Sequence, residues 1–236
     1  MARSGSNRTA WRLTALALLA PLVVMVAAMG THLGLWDWRI GWGLLTWKVG
    51  LGLAVVGAVA ALAAVAQAVR RGGSARLAAA TAVLAAGLTA GLFGWAWMQA
   101  QTPFHIQGGF GDVTSNPEDP PVYGGVLSRH RAAADAPALT PAGQFSGCEL
   151  AFSPRQAAPE SAAWALDQAG FDVLGSGVGR ADGTRTGFWF GFSHDAVVRI
   201  RPGRTDVRVT ARQDRPDGGE ACRLAQAILT ELQAIR

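Results

Sequence analysis

Three stretches free of Asp, Glu, Lys and Arg, from Leu13 to Leu35, from Val49 to Val69 and from Leu77 to Met98, fill most of the first hundred residues. Each is long enough to supply the roughly 20 helical residues that cross the hydrocarbon core of a bilayer. The chain therefore reads as a tail at 1–12, three transmembrane helices within 13–99 (about 13–35, 49–69 and 77–98), a linker at 100–111, and a folded domain at 112–236.

Charge divides the chain in the same place. Residues 1–99 carry eight Lys or Arg against one acid, a balance of +7, and residues 100–236 carry 13 Arg against 15 acids, a balance of −2, together the +5 of the whole chain. The basic excess thus sits at membrane flanks, where it sets orientation, and the folded domain lacks the charge that would drive nucleic-acid binding. Arg3, Arg8 and Arg12 precede the first stretch and Arg70, Arg71 and Arg76 fill the second loop, which places both on the cytoplasmic side. The expected address is a bacterial inner membrane, multi-pass, with a cytoplasmic N-terminus and a periplasmic C-terminal domain.

Trp36, Trp38, Trp42 and Trp47, with Trp95 and Trp97, then fall at the outer face, where indole rings favour the headgroup zone. The first stretch also has the basic start and small residues, Ala27 and Ala28, of a signal peptide, but its apolar run is long for one. Cleavage there would still leave the C-terminal domain outside. Small residues at four-residue spacing (Gly30 and Gly34; Gly50, Ala54 and Ala58; Gly87 and Gly91) are expected to pack the helices against each other. The spans carry no ionisable Asp, Glu, Lys or Arg of the kind that marks ion paths, which disfavours transport.

In the folded domain, Asp112 to Pro121 is broken by Asn116-Pro117 and Asp119-Pro120 and reads as irregular, and 122–147 as a poorly periodic segment draped over the domain. Strands are expected at Glu149–Phe152, Phe171–Leu174, Thr186–Phe192, Ala196–Arg201 and Asp206–Arg212, the last two joined by a hairpin at Pro202–Thr205. Helices are expected at Pro159–Ala169, capped by Gly170, and at Gly218–Ile235. Adjacent strands with two flanking helices predict an α+β domain: an antiparallel sheet of about four to five strands with two helices on one face.

Candidate sites follow from strand alternation. Ala196, Val198, Ile200, Val207, Val209 and Ala211 turn toward the core, which leaves Arg199, Arg201, Arg208 and Arg212 together on the opposite face. Like charges in such an array repel, so anionic groups must stand among them: Asp195, Asp206 and other acids, or a bound anionic ligand such as a lipid headgroup held by guanidinium forks. Phe188, Phe190 and Phe192 would share the core side, with Trp189 among the arginines. Cys148 and Cys222 are expected to form a disulfide in an oxidising envelope. Ser193-His194-Asp195 has the residue types of a triad, but strand neighbours point to opposite faces. Asp112, Glu118 and Asp119 lack the spacing of a calcium loop. No catalytic residue, metal or cofactor is assigned.

The pairing of Asp112-Val-Thr-Ser-Asn-Pro-Glu-Asp-Pro-Pro121 with Thr186-Gly-Phe-Trp-Phe-Gly-Phe-Ser-His-Asp-Ala-Val-Val-Arg-Ile-Arg-Pro202 resembles the bacterial and plastid family called domain of unknown function 1499 (DUF1499), over roughly residues 105–236. The resemblance implies a domain behind membrane helices and no established activity. The chain departs from the family's pattern at Gln213–Cys222. Together these readings predict a non-enzymatic, membrane-anchored, extracytoplasmic binding or assembly module. Its expected partners are the bilayer and either an anionic lipid or a membrane protein.

Overall fold

The computed structural model describes residues 3–71, 75–100, 111–133, 140–141, 148, 156–158, 160–213, 215 and 217–234. The chain forms two compact units, residues 1–98 together with Phe188–Gly191, and residues 99–187 together with 192–236.

In the first unit α1 spans Arg3–His32, a π-helical stretch Arg39–Gly50 runs into α2, Leu51–Arg71, and α3 spans Ala75–Ala100. Three helical segments within it, Thr9–His32, Arg39–Arg70 and Ala75–Met98, are long and apolar enough to cross a membrane. The second begins ten residues before the expected Val49, so Trp42, Trp47 and Lys48 lie on helix instead of in a loop. Thr46 is buried in that stretch and donates its hydroxyl to the Gly41 carbonyl at 2.9 Å.

The helices meet through alanine more than through the expected glycine rows. Ala17, Ala61, Ala64, Ala79 and Ala82 form one cluster, and Ala10, Ala75 and Ala78 a second. A Cβ on Gly57 would stand 3.2 Å from the Ala17 Cα, so α1 and α2 touch backbone to backbone there. Thr14 donates to the Ala78 carbonyl at 2.9 Å and ties α1 to α3. Gly50 does face Val24 and Phe93, but Gly87 and Gly91 face open space.

The second unit is a sheet ordered β2-β1-β6-β5-β4-β3. Its strands are β1 (Asp112–Thr114), β2 (Thr140–Pro141), β3 (Asp172–Gly177), β4 (Arg180–Thr186), β5 (Ser193–Arg201) and β6 (Arg204–Ala211), and its helices are α4 (Gly125–Ala133), α5 (Ser161–Gln168) and α6 (Glu220–Ala234). All pairings are antiparallel except β1 with β2. The α+β expectation holds, with α5 and α6 on one face. Ala162, Ala165 and Leu166 of α5 and Leu224, Ala225, Ile228 and Leu232 of α6 pack with Val113, Ala181, Ala196, Val198, Ile200, Val207 and Val209 in one core. Gly170, at φ +80°, ends α5 in the left-handed conformation that glycine adopts without strain. The Asp217 carboxylate caps α6 by accepting from the amides of Gly219 and Ala221, each at 2.9 Å.

Four expectations are corrected. Thr186–Phe192 is not a strand: β4 lies earlier, at Arg180–Thr186, and 187–192 is the connection to β5. Phe188 is accordingly 80% exposed and not in the core, because a turn presents both faces of an aromatic run to its surroundings. Asp112–Thr114 is a strand despite the prolines that follow it, and 125–133 is a helix. The expected strand Glu149–Phe152 lies outside the described residues.

Candidate functional site

Alternation along β5, β6 and β1 places Asp195, Val197, Arg199, Arg201, Asp206, Arg208, Thr210, Asp112 and Thr114 on the face opposite α5 and α6. That face is roofed. The segment after β1 crosses it and buries Tyr123 and Leu127 against Val197. The Tyr123 hydroxyl lies 2.7 Å from Thr210 Oγ1 and donates to the Asp195 carbonyl at 3.0 Å.

The four sequence-predicted arginines do share this face, and each is bound to carboxylate. Arg208 grips Asp112 with two parallel bonds, Nε to Oδ1 at 2.9 Å and Nη2 to Oδ2 at 2.7 Å. Arg212 meets Asp195 at 2.8 Å. Arg199 and Arg201 both reach Asp206, at 2.9 and 2.8 Å, and both reach Asp119, at 3.1 and 2.7 Å, while Arg204 closes on Asp206 at 2.6 Å. Asp112, Asp195 and Asp206 are buried, whereas Asp119 lies at the exposed rim.

Burial alone would raise the Asp206 carboxyl, but hydrogen bonds from Arg199 and Arg204 outweigh it and hold its pKa below the ordinary value. The Arg199 hydrogen bond does the same for Asp119. The two motifs of the family resemblance are therefore one structure. Asp119 of the first, Asp112–Pro121, neutralises Arg199 and Arg201 of the second, while Asp112 holds Arg208 on the neighbouring β6.

Trp189 does not join the arginines on a strand. It lies in the turn between β4 and β5, 60% exposed, beside Phe188 with ring centroids 5.2 Å apart. Asp112 and Asp119, weighed as calcium ligands, are spent in different places, the first on Arg208 and the second on Arg199 and Arg201. Ser193, His194 and Asp195 also part company: the Ser193 hydroxyl lies 3.0 Å from that of Thr186, Asp195 holds Arg212, and His194 turns into the core. There its Nε2 stands 3.8 Å from Asp217 Oδ2.

A feature without any sequence signal lies at the far edge of the sheet. A cleft of about 270 Å³ opens between the start of α4 (Gly124–Leu127) and the end of β3 (Leu174–Gly177), floored by Arg180 and Asp182. Arg180 donates Nε to Asp182 at 2.9 Å and Nη2 to the Val122 carbonyl. β3 is exposed along its whole length and, among the described residues, ends the sheet, with Val173 and Leu174 open to solvent.

The disulfide is formed between Cys148 and Cys222, with Cα atoms 5.7 Å apart and a separation of 74 positions in sequence, and it anchors the first turn of α6. Comparison with protein families, with curated proteins and with solved structures finds no match to this chain.

Proposed function

We propose that this chain is a non-enzymatic, membrane-anchored module of a bacterial inner membrane whose α+β domain works on the outer side in binding or assembly, with a membrane protein as partner. The observation that carries the reading is the open edge of β3 beside the α4 cleft. An edge strand offers a row of backbone donors and acceptors to an incoming strand, and Val173 and Leu174 add apolar contact without the lysine or proline that commonly blunts such edges. The Cys148–Cys222 bridge supports an oxidising address. The likeness to DUF1499 supports the same plan and adds no activity.

The alternative is capture of an anionic lipid headgroup or other small anion by Arg199, Arg201, Arg208 and Arg212, with Trp189 beside them. It meets an obstacle in the four carboxylates already seated there. Only Asp119 is exposed enough to yield to an incoming anion, which narrows such a site to Arg199 and Arg201.

The test is purification of the detergent-extracted full chain beside a Val173→Lys, Leu174→Lys variant. A membrane protein that travels with the native chain and is lost from the variant, with the disulfide intact in both, is the expected outcome. Retention of the same partner by the variant, or no reproducible partner with either, overturns the edge reading.

A further inference from the structure

The two ends of the sheet differ in chemistry. At one end are the turns Val178-Gly179 and Pro202-Gly203, the second flanked by Arg201, Arg204 and Asp206. At the other end, β4 and β5 are joined by Gly187-Phe-Trp-Phe-Gly-Phe192, which contains no charged or hydrogen-bonding side chain except the indole of Trp189. Phe188 is 80% and Trp189 60% exposed at its tip. Glycines bound the tip, and Gly191 adopts φ +66°, a conformation that would strain a side-chain-bearing residue. Two exposed rings in adjacent positions are an unusual outlay for a surface that meets only water.

Topology fixes which end this is. Asp112, the first residue of β1, pairs with Thr210 near the end of β6, and Asp195 near the start of β5 pairs with the same Thr210. The chain that leaves α3 therefore enters the sheet at the end that bears the aromatic turn. About ten residues separate Ala100 from Gly111, a reach of at most about 40 Å even when fully extended. The four residues Phe188–Gly191 also belong to the same compact unit as the three candidate spans.

From these observations we infer that the Phe188-Trp189 turn is a membrane-interface anchor, seated in the phospholipid headgroup zone on the side where the folded domain lies. The amphipathic indole favours that zone, its N–H toward headgroup oxygens, and the apolar phenyl ring beside it goes among the upper acyl carbons. The turn is then an attachment to the bilayer additional to the three spans. The inference rests on the membrane anchoring proposed above and is independent of the β3 edge and its partner.

The test uses the full chain in vesicles of phosphatidylethanolamine and phosphatidylglycerol, with the photoreactive residue benzoylphenylalanine at Phe188, at Trp189, or at Val178. Val178 is 96% exposed at the opposite end of the sheet and serves as the reference. After irradiation, mass spectrometry is expected to find phospholipid adducts at 188 and 189 and none at 178. Absence of adduct at both aromatic positions, adducts equal to those at 178, or cross-links at 188 and 189 to protein alone would overturn the inference. Because all three positions are exposed, the substitutions leave the core intact, and the Cys148–Cys222 bridge reports folding in each. A lost β3 partner with lipid adducts retained, or the reverse, separates failure of this inference from failure of the edge reading.

Discussion

Asp112 and Asp119 come from the same short segment and face the same arginine array, yet burial assigns them different weights. Asp112 is fully enclosed and holds Arg208 in a two-pronged bond, so Asp112→Ala leaves a half-buried guanidinium without its counter-ion, which costs about 3–5 kcal/mol when a buried pair is broken from one side. Asp119 is exposed to solvent, and Asp119→Ala is expected to shift the thermal midpoint little, and less still at high salt. Thermal unfolding of the two variants, side by side, checks the contrast.

The same carboxylates set an acid limit. For both Asp206 and Asp217 burial acts to raise the pKa, but arginine contacts in the first case, and His194 with the Ala221 and Gly219 amides in the second, bring it below the ordinary value. A carboxyl depressed in the folded state binds fewer protons than in the unfolded chain, so its contribution is complete above about 4, the unfolded value, and is lost as the pH falls through the folded one. The unfolding midpoint should be flat from neutral pH down to about 5 and should fall below about 4, and Asp217→Asn should weaken that acid dependence. A midpoint that begins to fall near neutrality would contradict this.

At the level of elements, what was legible followed from period. β5 and β6 alternate cleanly because one side meets α5 and α6 and the other carries the arginine lattice, so both the hairpin and its faces could be read from residues 196–212. β4 left no such trace. Its sequence, Arg-Ala-Asp-Gly-Thr-Arg-Thr, puts only Ala181 and Gly183 toward the core, and Gly183 is closely packed there, since a Cβ would stand 3.1 Å from the Asp172 carbonyl oxygen and 3.2 Å from Phe171 Cβ. The Phe-Trp-Phe-Gly-Phe run next to it mimics a strand and took the assignment instead. The roof over the arginines was hidden for another reason: it makes its contacts through Tyr123, Leu127 and carboxylates spread along an aperiodic segment, so no window of sequence contains its pattern.

The disulfide was legible as a pair because only two cysteines exist. Its bridge ties Cys148 to the first turn of α6 and closes a loop that, in the chain-entropy model, stabilises by about 4 kcal/mol. Cys222→Ser should therefore lower the denaturant midpoint without changing the far-ultraviolet helix signal of the native state, and reducing agent should shift the wild type to the same value.

For the molecule as a whole, the balance of +7 in residues 1–99 against −2 in the remainder is the clearest guide to how the chain is placed, since it puts basic residues at the first tail and second loop and leaves the domain nearly neutral. The disulfide, the aromatic turn and the open β3 edge all take their proposed roles from that orientation. It is tested most directly by fusing alkaline phosphatase, active only where its own disulfides form, after Arg236 in a bacterial host. An active fusion is expected, with Cys148 and Cys222 protected from alkylation until a reductant is added; an inactive fusion joined to a cytosolic, protease-shielded domain would contradict the proposed orientation.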